Sequence, residues 1–196
     1  GVKGFTLALI IGGALGLAVS RSRILRSAIG SMITGLQTMP SVAWFPLAIL
    51  LFKATEEAIM FVVVLGAAPS IANGLIQGVD QIPPILLRAG RVLGARGSSA
   101  VRHVMLPAAL PSFVGGLKQG WAFAWRSLMA GELLTLIPGK VSLGAKLEFE
   151  RRFSDSAGML AVMVMIFLIG VTIDALVFGQ ADRFIRRRYG LIDAAH

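Results

Sequence analysis

Three ionisable side chains, Lys118, Arg126 and Glu132, interrupt an apolar run that begins near Pro111. A charge at membrane depth costs about 2.5–3.5 kcal/mol on insertion scales, so each of the three is a functional candidate by default. At about 100° per residue, Lys118, Trp121, Trp125, Leu128 and Glu132 fall on one helical stripe, with Arg126 about 100° round from Trp125. A cation, two indoles and a carboxylate suit the lining of a passage or a seam between subunits better than a face turned to lipid. The guanidinium of Arg126 offers a planar fork that matches oxyanions, so Arg126 with Trp125 is the candidate contact for an anion in passage. The competing assignment is an internal ion pair, Arg126 or Lys118 with Glu132 or Asp174. Trp44, between Pro40 and Pro46, is either a gate or an interfacial anchor.

A second constellation lies at 87–111, LRAGRVLGARGSSAVRHVMLPAALP, a basic segment between apolar runs. Pro83 and Pro84 end the preceding span, and 85–93 can form a short amphipathic helix. Gly94 permits a turn that a residue with a Cβ makes only at a cost. Ser98 or Ser99 is a good N-cap for a second short helix, which Pro107 would stop. Two short helices bent at Gly94 make a compact knob able to dock on a partner. Anionic lipid would attract the arginines of such a loop without requiring its glycine spacing.

Other chemistry lacks its residues. His103 and His196 are the only histidines, and neither has a ligand partner at metal-binding spacing. There is no cysteine, and no glycine-rich loop followed by Lys-Ser/Thr that would hold ATP.

The elements that must position these residues follow from hydropathy. The chain has 196 residues, 56% hydrophobic and 15% charged, with mean hydropathy +0.78. Soluble domains carry about 25% charged residues. The fold class expected is therefore all-α, a polytopic membrane bundle. Five spans are predicted at 4–19, 28–52, 58–79, 108–137 and 157–178, with the loop 83–107 and a tail 180–196. Pro40, Pro46 and Pro69 are expected to interrupt the second and third. The net charge of +9 does not point to nucleic acid, because the basic residues fall between apolar spans. With the 88–103 loop inside, eleven Lys/Arg lie inside and six outside. Five spans with an inside C-terminus place Gly1 outside, so a further N-terminal helix is expected upstream if the intact protein starts inside. Gly12/Gly16, Gly74/Gly78 and Gly116/Gly120 have the spacing of close helix contacts, whereas Gly90/Gly94 is better explained by turning.

The loop resembles the cytoplasmic coupling loop of binding-protein-dependent ABC importers, E-A-A, three residues, Gly, nine residues, Ile/Val-x-Leu-Pro. Arg88-Ala89-Gly90 stands at its head, Gly94 at the glycine, and Val104, Leu106 and Pro107 at its close, with Arg in place of Glu and Gly in place of the second Ala. Thr38–Leu47, with its Pro40-Ser41-Val42-Ala43-Trp44-Phe45-Pro46 run, is similar to a segment of the nitrate/sulfonate/taurine permease branch. So are Gly116-Leu117-Lys118, Ala124-Trp125 and Ala130-Gly131-Glu132, and then Gly170, Asp174 and the basic tail. Lys53 departs from it where a glycine usually follows the Phe, and Lys140 where Gly-x-Gly is common.

The resemblance implies a type I importer permease in the bacterial plasma membrane, working by alternating access on a small anion. Its partners would be cytoplasmic ABC ATPase subunits, an extracytoplasmic solute-binding protein at the outer loop 138–156, and a second permease copy or paralogue. It implies no enzyme activity and no cofactor in this chain, since ATP and Mg would be bound by the ATPase. The docking residues implied are Arg88, Ala89, Gly90, Gly94, Ala95, Arg96, Val104, Leu106 and Pro107. The alternative is a non-transporting membrane scaffold that recruits a soluble partner through the same loop.

Overall fold

The computed structural model describes residues 1–135, 137 and 141–188. Of the expected outer loop and tail, residues 138–140 and 189–196 lie outside the described residues. Every regular element among the described residues is a helix. They are α1 (Val2–Arg21), α2 (Arg23–Thr38), α3 (Phe45–Phe52), α4 (Glu56–Asp80), α5 (Pro84–Val92), α6 (Ser98–Ala100), α7 (Leu106–Leu134), α8 (Leu143–Arg152), α9 (Ser156–Ile173) and α10 (Gly179–Arg188). A 3₁₀ turn, Ser41–Trp44, precedes α3, and π turns at Val101–Met105 and Asp174–Phe178 precede α7 and α10.

Among the described residues, four helices are long and apolar enough to cross a membrane, and the bent pair Ile24–Thr38 and Ser41–Phe52 can make a fifth. α4 is the hub, with two thirds of its most apolar window buried, against α1 on one side and α7 on the other. Small residues bring the backbones together. A Cβ on Gly12 would lie 2.5 Å from the Ala68 carbonyl oxygen, and one on Gly116 would lie 2.7 Å from the Gly74 Cα. Ala67, Ala68 and Ile71 of α4 close the core with Ala8 and Ala124. α9 is the opposite case: 6% of its window is buried, and Leu160, Phe167 and Leu168 stand exposed, as a lipid-facing helix should.

Pro40 interrupts the second span as expected, whereas Pro46, Pro69 and Pro107 depart from the expectation. The predicted span 28–52 is not one helix, because the axis turns by 104° between α2 and the segment after Pro40. Met39 has the extended conformation (φ −74°, ψ 131°) that a following proline ring favours. Pro46 starts α3 instead of breaking it, since the first turn needs no N–H from it. α4 runs unbroken through Pro69. Pro107 does not stop a short helix either. Ser98–Leu134 forms one continuous rod of 37 residues, in which the π turn shifts the ladder so that the Leu106 N–H reaches the Val101 carbonyl just before Pro107. No side chain caps α6, whose N-cap is Gly97 and not a serine. Lys53 sits at φ 59°, where the glycine usual in the resembled branch would be unstrained.

Two polar ties hold α2 to α4. The Gln37 amide donates to Ser70 Oγ (3.1 Å) and accepts from the Asn73 amide (3.2 Å), with Ser70 buried. Near the start of α2, Arg26 pairs with Asp80, three residues before Pro83.

Candidate coupling loop and translocation face

α5 and the start of the long rod form a two-armed knob closed at its base. Gly90 is the one buried residue of α5, and a Cβ there would lie 2.7 Å from Val104 Cγ2, so the arms touch at this pair. Gly90 therefore serves contact and not turning, which corrects the expectation for it. The turn belongs to Gly94 (φ 85°) and Gly97 (φ 56°), both in the left-handed region that disfavours a Cβ. The half-buried Ala95 donates its N–H to the Gly90 carbonyl (2.9 Å), and the Arg96 carbonyl accepts from Ser99 N–H (3.1 Å). His103 Nδ1 lies 3.0 Å from the Ser99 carbonyl oxygen.

What the knob presents outward is unlike an ordinary solvated loop. Ile85, Leu86, Val92 and Leu93 are exposed, the last two at 86% and 85%. Their spacing repeats every seven residues, so they form an apolar ridge along α5 with Ala89 between them. Arg88, Arg91, Arg96 and Arg102 are exposed around it. Leu106 and Pro107 lie at the root, where the rod enters the bundle.

The α7 stripe is largely internal. Trp121 is buried, edge-on to Phe5 (5.4 Å) and 6.1 Å from Phe178. Trp125 stacks on Trp121 at 6.0 Å, with its indole nitrogen against Gly170. Lys118 pairs with Asp174 at 3.1 Å, joining α7 to the π turn after α9. Trp44 is half-buried beside Phe45, Ala48, Ala58 and Val62, and Phe45 is fully enclosed. Glu132 caps another helix, because its Oε2 accepts from the Gly144 N–H (3.1 Å) in the first turn of α8, where negative charge is favoured. It also lines a cavity of about 550 Å³ between the N-terminal ends of α1 and α4 and the C-terminal end of α7, together with Lys3, Glu56 and Glu57.

Arg126 stands on another face of α7. Its side chain is exposed, with Nε donating to the Ala122 carbonyl (3.2 Å) and the guanidinium 4.7 Å above the Phe123 ring. It ends an exposed stripe of Gly115, Gln119, Ala122 and Arg126 on α7. Sequence reasoning missed Gln119. The signal was a second face, at spacings of four, three and four, made of small and polar residues where a lipid-facing helix would carry large apolar ones. Outside the bundle proper, Glu148 of α8 is buried and chelated by Arg151 (2.7 and 2.8 Å) and Arg152 (2.9 Å). Their hydrogen bonds hold its carboxyl down at about 2.

Comparison with known proteins agrees with this geometry. A protein of Methanocaldococcus jannaschii designated an ABC transporter permease is 31% identical over 96% of the chain and 68% of its own length. The nitrate import permease protein NrtB of Leptolyngbya laminosa is 28% identical over 93% of the chain and 64% of its own length. The bicarbonate transport system permease protein CmpB of Synechococcus elongatus is 28% identical over 89% of the chain and 62% of its own length. The chain thus spans about two thirds of these relatives. Among solved structures, the MetNI methionine ABC transporter in an inward-facing conformation superposes with a TM-score of 0.72 over 95% of this chain and 91% of that one. At 20% identity this is a likeness of fold. Residues 4–187 match the family described as binding-protein-dependent transport system inner membrane component, and the chain, a multi-pass membrane protein, belongs to that family.

Proposed function

We propose that this chain is the transmembrane permease subunit of an ATP-driven importer of small anions. The observation that carries the reading is the knob, an exposed apolar ridge rimmed by arginines on the side that the positive charges mark as cytoplasmic, held by two left-handed glycines. Such a ridge needs a partner surface, and a cytoplasmic ABC ATPase is the partner the family implies. ATP and Mg would bind there, in a separate subunit. The apolar ridge would sit in a groove of the ATPase and carry its closure into α4 and α7, the two helices the knob joins. A solute-binding protein would deliver the solute on the outer side, and a second permease copy or paralogue would complete the passage.

Small oxyanions suit the relatives named for nitrate and bicarbonate, and they suit Arg126. In this reading the exposed stripe from Gly115 to Arg126 faces the partner permease across the passage, with the guanidinium fork as the anion contact. Trp121, Trp125, Lys118 and Glu132 hold the helices that position it.

Purification of the full-length protein in mild detergent tests the reading. An ATPase should stay bound to the wild type and be lost from Gly94→Val while the fold is retained. Uptake of nitrate, bicarbonate or a sulfonate by the reconstituted complex should then fall at least tenfold in Arg126→Ala. A folded wild-type chain that carries no ATPase would sink the importer and favour a scaffold.

A further inference from the structure

α8 is built inside out for a helix in water. Its buried residues are Gly144 and Glu148, which face α7 and α9, and Glu148 is a charge. Its apolar bulk points the other way. Phe149 and Phe153, at the end of the helix, are exposed at 57% and 69%, with ring centroids 4.5 Å apart. At about 100° per residue these two rings lie about 100–180° round the helix from Gly144 and Glu148. The polar contacts keep that orientation fixed. Glu132 and Ser142 accept from the first-turn N–H groups, and Glu148 takes both arginines. A helix that turns its carboxylate inward and two phenylalanines outward is shaped for an apolar environment outside the protein.

We propose that α8 lies in the membrane interface and presses Phe149 and Phe153 into the acyl edge of the outer leaflet, with Lys146 reaching the phosphates of its headgroups. Continuity chooses lipid over a protein partner. Only residues 153–155 separate α8 from α9, a candidate membrane span whose apolar side chains are largely exposed, so Phe153 stands at the mouth of that span. Lys146 is exposed one turn before Phe149 on the same face, within about 60° of both rings, where an ammonium meets headgroup phosphate while the rings go deeper. The inference rests on the membrane location of the chain and not on what it transports.

The chain has no cysteine, so Phe153→Cys introduces the only thiol within it. The full-length protein with its native partners is reconstituted in phosphatidylethanolamine/phosphatidylglycerol vesicles, and the thiol is labelled with an environment-sensitive nitrobenzoxadiazole dye. Doxyl groups high on the lipid chain should quench the label at least twice as strongly as aqueous iodide does. Phe167→Cys in α9 should respond to doxyl groups alone. Phe149→Cys repeats the test should Phe153→Cys fail to assemble. Quenching by iodide alone would overturn the proposal by placing the rings in water. Quenching by neither would also overturn it, because a protein then covers them.

Discussion

The seam between α1, α4 and α7 and the knob at Gly94 both depend on glycine, for opposite physical reasons. In the seam, Gly12, Gly74 and Gly116 have helical dihedrals open to any residue, and what they lack is space: a Cβ on Gly74 would lie 2.5 Å from the Gly116 Cα. At Gly94 space is unlimited, since a Cβ there would meet nothing within 4 Å, and the constraint is the backbone at φ 85°. A membrane interior has no hydrophobic drive between helices, so packing depends on such close approach. The knob has to keep one shape while standing clear of the bundle, and backbone geometry does that without neighbours. Glycine in the first region is about contact, and in the second about conformation.

Substitutions can break or sharpen this contrast. The largest effect is expected for Gly116→Val, where the obstacle is the backbone of Gly74 and no side chain can yield. Overpacking of this kind costs about 3 kcal/mol or more, and the variant should lose its monodisperse detergent-solubilised form. A Gly116→Val protein with an unchanged Tm would show that the seam is not tight. Gly94→Val should be milder for the fold, about 1–2 kcal/mol of left-handed strain, while transport falls at least tenfold. Gly94→Asn should recover part of that transport, because asparagine tolerates the left-handed region; equal defects in the two variants would separate the knob from its dihedral. The smallest effect belongs to Gly13→Ala in α1, where there is neither a close neighbour nor a positive φ. It should raise stability by at most about 1 kcal/mol through helix propensity, seen as a small upward shift in Tm.

The sequence made the helical class and the place of the knob legible, because hydropathy and the spacing of arginine and glycine are local properties. Gly12/Gly16 and Gly116/Gly120 were legible as contacts for the same reason. The roles of the prolines were legible only at Pro40. Pro40 bends the chain, Pro46 begins a helix, and Pro69 and Pro107 are passed over, yet nothing adjacent to them in sequence separates these outcomes. The helical stripe alone puts Glu132 on a passage or a subunit seam, but its carboxylate meets Gly144, twelve residues on, in a helix within the segment that hydropathy reads as an outer loop. Of the possible ion pairs for Lys118, only the fold selects Asp174. The cap of α8 and the split of α7 into a buried and an exposed face are properties of packing.

The central place of α4 also sets an order of assembly during synthesis. Its contact with α1 joins segments already made, so Gly12 and Gly16 can meet α4 as soon as it enters the bilayer. Its other face must wait for Gly116, 42 residues after Gly74. At translation speeds of 5–20 residues per second that interval is about 2–8 s. Through those seconds Gly74 and Gly78 form a bare groove in the newborn chain, which any passing helix with small residues could fill. Early pairing with α1 and α2 limits the groove to one side, and leaves it shaped for the one helix still to come.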